Sequence, residues 1–195
     1  MDYLGHCALG SRQTSPALRT ATVADGLENP WAVAFLPQGR YLVTERPGRL
    51  RVVEPDGTLS APVAGLPAVQ AGGQGGLLDL VLDTGFERNR TLYFCFSEPG
   101  PGGNSTALAK ARLSADRSRL ETVQVIFSQK PKVASPLHFG CRVVEARDGT
   151  LFLALGERAL FAGDLADRDR RPDGTRVAMA HRRADVRAIN DAIRA

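Results

Sequence analysis

With 195 residues and 43% hydrophobic content, the chain is long enough to bury one core of ordinary size. Its net charge of +4 comes from 25 basic and 21 acidic residues mixed along the chain, so no basic stripe faces a phosphate backbone and nucleic acid is not an expected partner. No run approaches the roughly 20 apolar residues of a membrane span, and 20 glycines and 12 prolines punctuate short apolar runs, the composition of strands joined by turns.

Residues 1–19 form an irregular N-terminal segment. It lacks both the basic region and the apolar stretch of a secretory signal, so the chain as written reads as soluble and cytoplasmic. From there one unit recurs three times: an apolar strand, a turn, and a second strand ending on an acidic residue. The first occupies residues 31–46 (WAVAF, then PQGR, then YLVTER). The second occupies 77–98 (LLDLVL, a longer connection, then TLYFCFSE), and the third 141–158 (CRVVEA, RDG, then TLFLALGER). Further strands at 50–54, 107–113 and 123–127 lie between the repeats and would be the outer strands of each unit. The period of roughly 50–60 residues suits β-propeller blades; a β-sandwich built of similar hairpins would give the same period.

After Arg158 the character changes. Residues 159–195 form a divergent tail crowded with Asp and Arg, in which no strand alternation can be traced. Val186, Ile189 and Ile193 fall at helical spacing, which predicts a short helix over 184–194. Cys7, Cys95 and Cys141 are far apart and odd in number, and none stands in a zinc-type arrangement. They read as small buried or incidental residues, not as metal ligands or a disulfide framework.

Three polar residues stand out as site candidates. His138 lies between Leu137 and Phe139, and imidazole is the side chain whose ordinary pKa suits a general base near neutrality; by itself such a histidine is more often structural. Gln74 sits in a glycine-rich turn, Gly72-Gly-Gln-Gly-Gly76, with no Gly-Lys-Ser/Thr after it to bind phosphate. Its amide can donate and accept toward a polyol, or the turn can be an ordinary loop. Glu157 lies in a Glu-Arg pair, as does Glu45, so it reads either as a carboxylate behind the histidine or as part of a blade-closing ion pair.

Three ordered blocks carry a resemblance: LENPWAVAFLPQGR at 27–40 with LVTERPGRL at 42–50, GQGGLLD at 73–79, and LHFGCR at 137–142. Over residues 20–158 the chain resembles the N-terminal half of the glucose/sorbosone dehydrogenase family, and more closely its soluble pyrroloquinoline quinone (PQQ)-dependent aldose sugar dehydrogenases. The resemblance implies an all-β, six-bladed propeller, about three blades of which lie in this chain. It also implies PQQ and calcium as cofactors, and oxidation of an aldose at its anomeric carbon to a lactone. His138 matches the family's general base, Gln74 a glutamine near the bound sugar, and Glu157 an acidic partner of the base. The residues that hold PQQ and the calcium ligands are expected beyond the end of this chain, with no metal site within it. Family members usually work in the periplasm or outside the cell.

The chain also departs from the family pattern. Ser135-Pro136 replaces a glycine-rich approach to the histidine, Cys141 stands where serine is common, and Glu145 stands where the strand is usually apolar. Glu145 would cost stability if it pointed inward unpaired. Three blades leave two open edges through which a partial propeller would self-associate or meet a partner. Two functional expectations follow: an aldose dehydrogenase shortened so that this chain alone is impaired or inactive, or a non-catalytic partial propeller binding carbohydrate or protein, with an inactive gene remnant as the variant that fails to fold.

Overall fold

A computed structural model describes residues 19–156 and the backbone of 176–180. Three sheets follow one another along the chain. The first is an antiparallel meander of β1 (Pro30–Leu36), β2 (Arg40–Glu45) and β3 (Arg49–Val53). Residues 58–63 lie beside β3 as an irregular fourth strand, with Ser60 N–H donating to Val52 O and Val63 N–H to Leu50 O. The second sheet is a complete four-stranded meander of β4 (Leu77–Leu82), β5 (Thr91–Gly100), β6 (Gly103–Leu113) and β7 (Leu120–Ser128), with a one-turn helix α1 (Phe86–Asn89) between its first two strands. The third pairs β8 (Arg142–Glu145) antiparallel with β9 (Thr150–Ala154).

The sheets are built from consecutive strands, and β4 packs against both β1 and β8, so the first strand of each sheet neighbours the first strand of the next. That is the inner-strand arrangement of successive propeller blades, not the crossed connections of a sandwich. The tail supplies a strand that sequence patterning missed: β10 (Arg176–Ala180) runs parallel to β9 at the edge of the third sheet. Five residues of Arg-Val-Ala-Met-Ala are too few for a period-two signal to register. The helix expected over 184–194 lies outside the described residues.

The second blade is the centre of the hydrophobic organisation because both of its faces are covered. Along β5, Leu92, Phe94 and Phe96 join a cluster shared with Leu36, Leu42, Leu50 and Val52 of the first blade. The alternate residues Tyr93 and Cys95 join a second cluster with Val143, Leu151 and Leu153 of the third. Polar side chains stitch the blades at the same seams. Thr44 Oγ1 donates to Leu78 O at 2.7 Å, and the buried Asp79 carboxylate accepts from Val143 N–H at 2.8 Å and faces Arg142.

The expectation for the cysteines is corrected here: Cys95 and Cys141 form a disulfide, with their Cα atoms 6.6 Å apart. Separation along the sequence concealed the pairing. Strand alternation turns Cys95 toward the third blade, and the residue leading into β8 is Cys141. A bridge closing a loop of this size contributes roughly 2–4 kcal/mol of stability. Glu145 is likewise not left unpaired, because its carboxylate accepts from Thr84 N–H at 2.8 Å in the second blade's turn.

Candidate functional site

The glycine-rich turn and the histidine segment meet at one edge of the seam between the second and third blades. The turn closes on itself, with Gly75 N–H donating to Gly72 O at 2.8 Å, and is anchored on the first two blades through Leu77 N–H to Arg46 O and Ser97 N–H to Gly76 O. Gln74 stands at its tip. Its backbone N–H donates to Pro136 O at 2.8 Å, and its side-chain Oε1 accepts the backbone N–H of His138 at 2.7 Å. One residue therefore clasps the histidine segment with both its backbone and its side chain. The amide Nε2 of Gln74 has no hydrogen-bond partner among the described residues and lies exposed, available to a ligand.

The close approach depends on glycine at two places. Gly73 adopts φ +54°, and a Cβ there would fall 2.5 Å from Pro136 O. Where the histidine segment passes the end of β9, Gly140 and Gly156 face each other backbone to backbone, and a Cβ on Gly156 would collide with the carbonyl oxygen of His138. His138 itself has φ +62°, a left-handed conformation that costs a non-glycine residue about 1–2 kcal/mol. The Gln74 acceptor, the glycine crossing and the Phe139 ring, packed against the second cluster, hold the segment in that shape.

Of the three sequence candidates, the structure brings together Gln74 and His138. Glu157 lies outside the described residues. Both Gln74 and His138 are exposed, so the pair faces water and is not enclosed in a pocket. Arg46 went unnoticed in the sequence. Its guanidinium donates to Gly73 O and lies 5.8 Å from the Trp31 ring centroid, which sets a cation beside the turn.

The Glu45-Arg46 dipeptide is not an ion pair closing the first blade. Glu45, fully buried, instead pairs with Arg49 at 2.7 Å and Arg51 at 3.6 Å and accepts the Glu28 N–H. Burial pushes the Glu45 carboxyl up, but the Arg49 and Glu28 hydrogen bonds and the nearby arginine charges together hold it below its ordinary value. No group of three or more His, Cys, Asp or Glu among the described residues could hold a metal ion. These residues do not fit a calcium site. They offer an imidazole, an amide and one cation.

The model of the Glucose / Sorbosone dehydrogenase family matches residues 27–190. The chain belongs to the glucose/sorbosone dehydrogenase family. It is 42% identical over 154 residues to the aldose sugar dehydrogenase YliI of Escherichia coli, an alignment covering 77% of this chain and 42% of that protein. Among solved structures, a crystal structure of glucose dehydrogenase superposes with a TM-score of 0.68 at 50% identity, covering 70% of this chain and 40% of that one. The PQQ-bound aldose sugar dehydrogenase of Streptomyces coelicolor superposes with a TM-score of 0.60 at 27% identity, covering 76% of this chain and 44% of that one. The chain thus spans somewhat under half the length of these relatives. The three sheets described above lie within the residues that the family model matches.

Proposed function

We propose that this chain carries the base-bearing side of a PQQ-dependent aldose sugar dehydrogenase site, oxidising the anomeric carbon of a sugar to a lactone. The observation that carries the reading is the clasp of His138 by Gln74, which fixes an imidazole-bearing backbone next to a free amide donor on a family propeller. His138 takes the proton of the sugar's anomeric hydroxyl, and Gln74 Nε2 donates to a neighbouring oxygen and orients the ring. Arg46 fixes the turn that presents Gln74. When bound, PQQ supplies the two-electron acceptor. Its contacts and those of calcium are assigned to residues outside those described, and Glu157 is proposed as the carboxylate behind the base.

The test is reduction of an artificial electron acceptor by the purified chain with an aldose, PQQ and calcium added. The expected result is slow aldose-dependent turnover that His138→Ala lowers by about 100-fold or more with an unchanged circular dichroism spectrum. Absence of turnover, or turnover indifferent to His138→Ala, overturns the reading.

A second reading, a non-catalytic partial propeller, draws on the first blade. Trp31, Val33 and Phe35 of β1 are 53%, 53% and 74% exposed on the face turned away from the second blade. An apolar sheet face of this kind favours covering by another sheet, through self-association or further blades; binding of an aldose without turnover would support this second reading. For localisation, the Cys95–Cys141 disulfide favours an oxidising compartment, the periplasm or the cell exterior.

A further inference from the structure

We propose that the Cys95–Cys141 disulfide is a redox-controlled strut that holds the His138-bearing segment against the second blade, so that the site is assembled only in the oxidised protein. The strut stands on geometry alone; its effect on catalysis rests on the reading of His138 as the base.

Residues 129–141 contain no strand, and their two halves are held differently. Residues 129–133 are tied to the β5–β6 hairpin several times over. Gln129 N–H donates to Thr106 O, Val133 and Asn104 exchange backbone hydrogen bonds, and the buried Lys132 ammonium reaches Glu98 and Ser105. Residues 134–141 have no ladder, and the ties that hold them include the two hydrogen bonds to Gln74, the Gly140–Gly156 crossing, the packing of Phe139 on the second cluster and the disulfide. The disulfide is the one covalent tie, placed three residues from His138.

The two ends of the strut differ in a way that suits a latch. Cys95 is fully buried in the middle of β5, where it pairs with Leu108 of β6, whereas Cys141 is partly exposed at the lead-in to β8. The less buried end, Cys141, is the side from which a dithiol reductant approaches the bridge at Cys141 Sγ. Its thiolate attacks there, the S–S bond breaks, and Cys95 leaves as a thiolate that takes up a proton. The reductant's second thiol then releases Cys141 as a thiol, closing the reductant into its own disulfide, so two electrons and two protons pass to the protein. The Cys95 thiol left behind sits in its apolar surroundings as a small hydrophobe, and the blade keeps its packing. The segment carrying His138 loses its covalent tie and is left to the Gln74 hydrogen bonds and its packing. In a reducing cytoplasm the base is unlatched, and in an oxidising compartment it is latched.

Thiol titration of the unfolded chain without reductant should find one thiol, that of Cys7, and three after reduction; three before reduction overturns the strut. Hydrogen exchange of the native chain with and without dithiothreitol should show exchange in residues 134–141 accelerating about tenfold or more on reduction, with β5 and β6 unchanged. Cys141→Ser should reproduce this without reductant, with Cys95→Ala as a second variant should the first fail to fold. Uniform acceleration, or none, overturns the proposal. In the dye-reduction assay, reduction should lower kcat more than it raises KM, and reoxidation should restore it. Undiminished turnover with a freed segment overturns the latch. Absence of turnover in both states, with the thiol and exchange results as expected, leaves the strut standing and removes the dehydrogenase reading.

Discussion

The second blade and the histidine segment lie side by side and are stabilised by opposite means. The blade has a four-stranded antiparallel ladder and buries both faces, with Leu92, Phe94, Phe96, Ala107 and Leu108 all at 0–1% exposure. Residues 134–141 have no ladder and present His138 in a left-handed conformation to water, and their ties include one glutamine, the glycine contacts, the packing of Phe139 and a disulfide. The fold is therefore robust where the chemistry is not. Damage to the blade should unfold the molecule, whereas damage to the clasp should displace His138 and leave the blade intact.

The largest effect is expected in the blade. Phe94→Ala should remove about 3–5 kcal/mol from the unfolding free energy, read by chemical denaturation. Next comes the glycine crossing. Gly156→Ala should push the His138 carbonyl away at a cost of about 1–3 kcal/mol, with hydrogen exchange changing in residues 134–141 and not in β6. If β6 loses protection too, the two regions are not separable in this way.

Gln74→Ala should cost about 1 kcal/mol through the lost acceptor and speed exchange of the His138 amide. An unchanged His138 amide would mean that the clasp is not formed in solution. The smallest effect concerns Glu145. Burial, with the nearby Asp83 charge, pushes its carboxyl above the ordinary 4.5 despite the Thr84 hydrogen bond. Its contribution is therefore fully present below that ordinary value and is lost as pH rises through the raised one. Glu145→Gln should be neutral or gain a few tenths of a kcal/mol at pH 7 after solvent screening, with the gain vanishing below pH 4.5 in a pH series of denaturation curves.

The same division governs what could be read from the sequence. The repeats at 31–46, 77–98 and 141–158 gave the blades because a ladder writes its period-two pattern into consecutive residues. His138 and Gln74 stand out in the sequence through their motif blocks, but the bond between them does not, since it joins residues 64 apart through an exposed side chain. The same blindness to distance hid the Cys95–Cys141 bridge and the Arg46 contact with Gly73, and it made Glu45-Arg46 look like a pair when Glu45 turns to Arg49 and Arg51. Glu145 looked misplaced because its partner, Thr84, belongs to a different blade.

The central claim is that Gln74 and His138 form one side of a sugar site. It is tested most directly by titrating the isotopically labelled chain with an aldose and following the Gln74 side-chain amide and the His138 backbone and ring signals by NMR. Shifts concentrated at these two residues and the 72–76 turn, lost in Gln74→Ala, are the result this account predicts. Saturating sugar that leaves them unmoved, or that moves signals on another face instead, would contradict it.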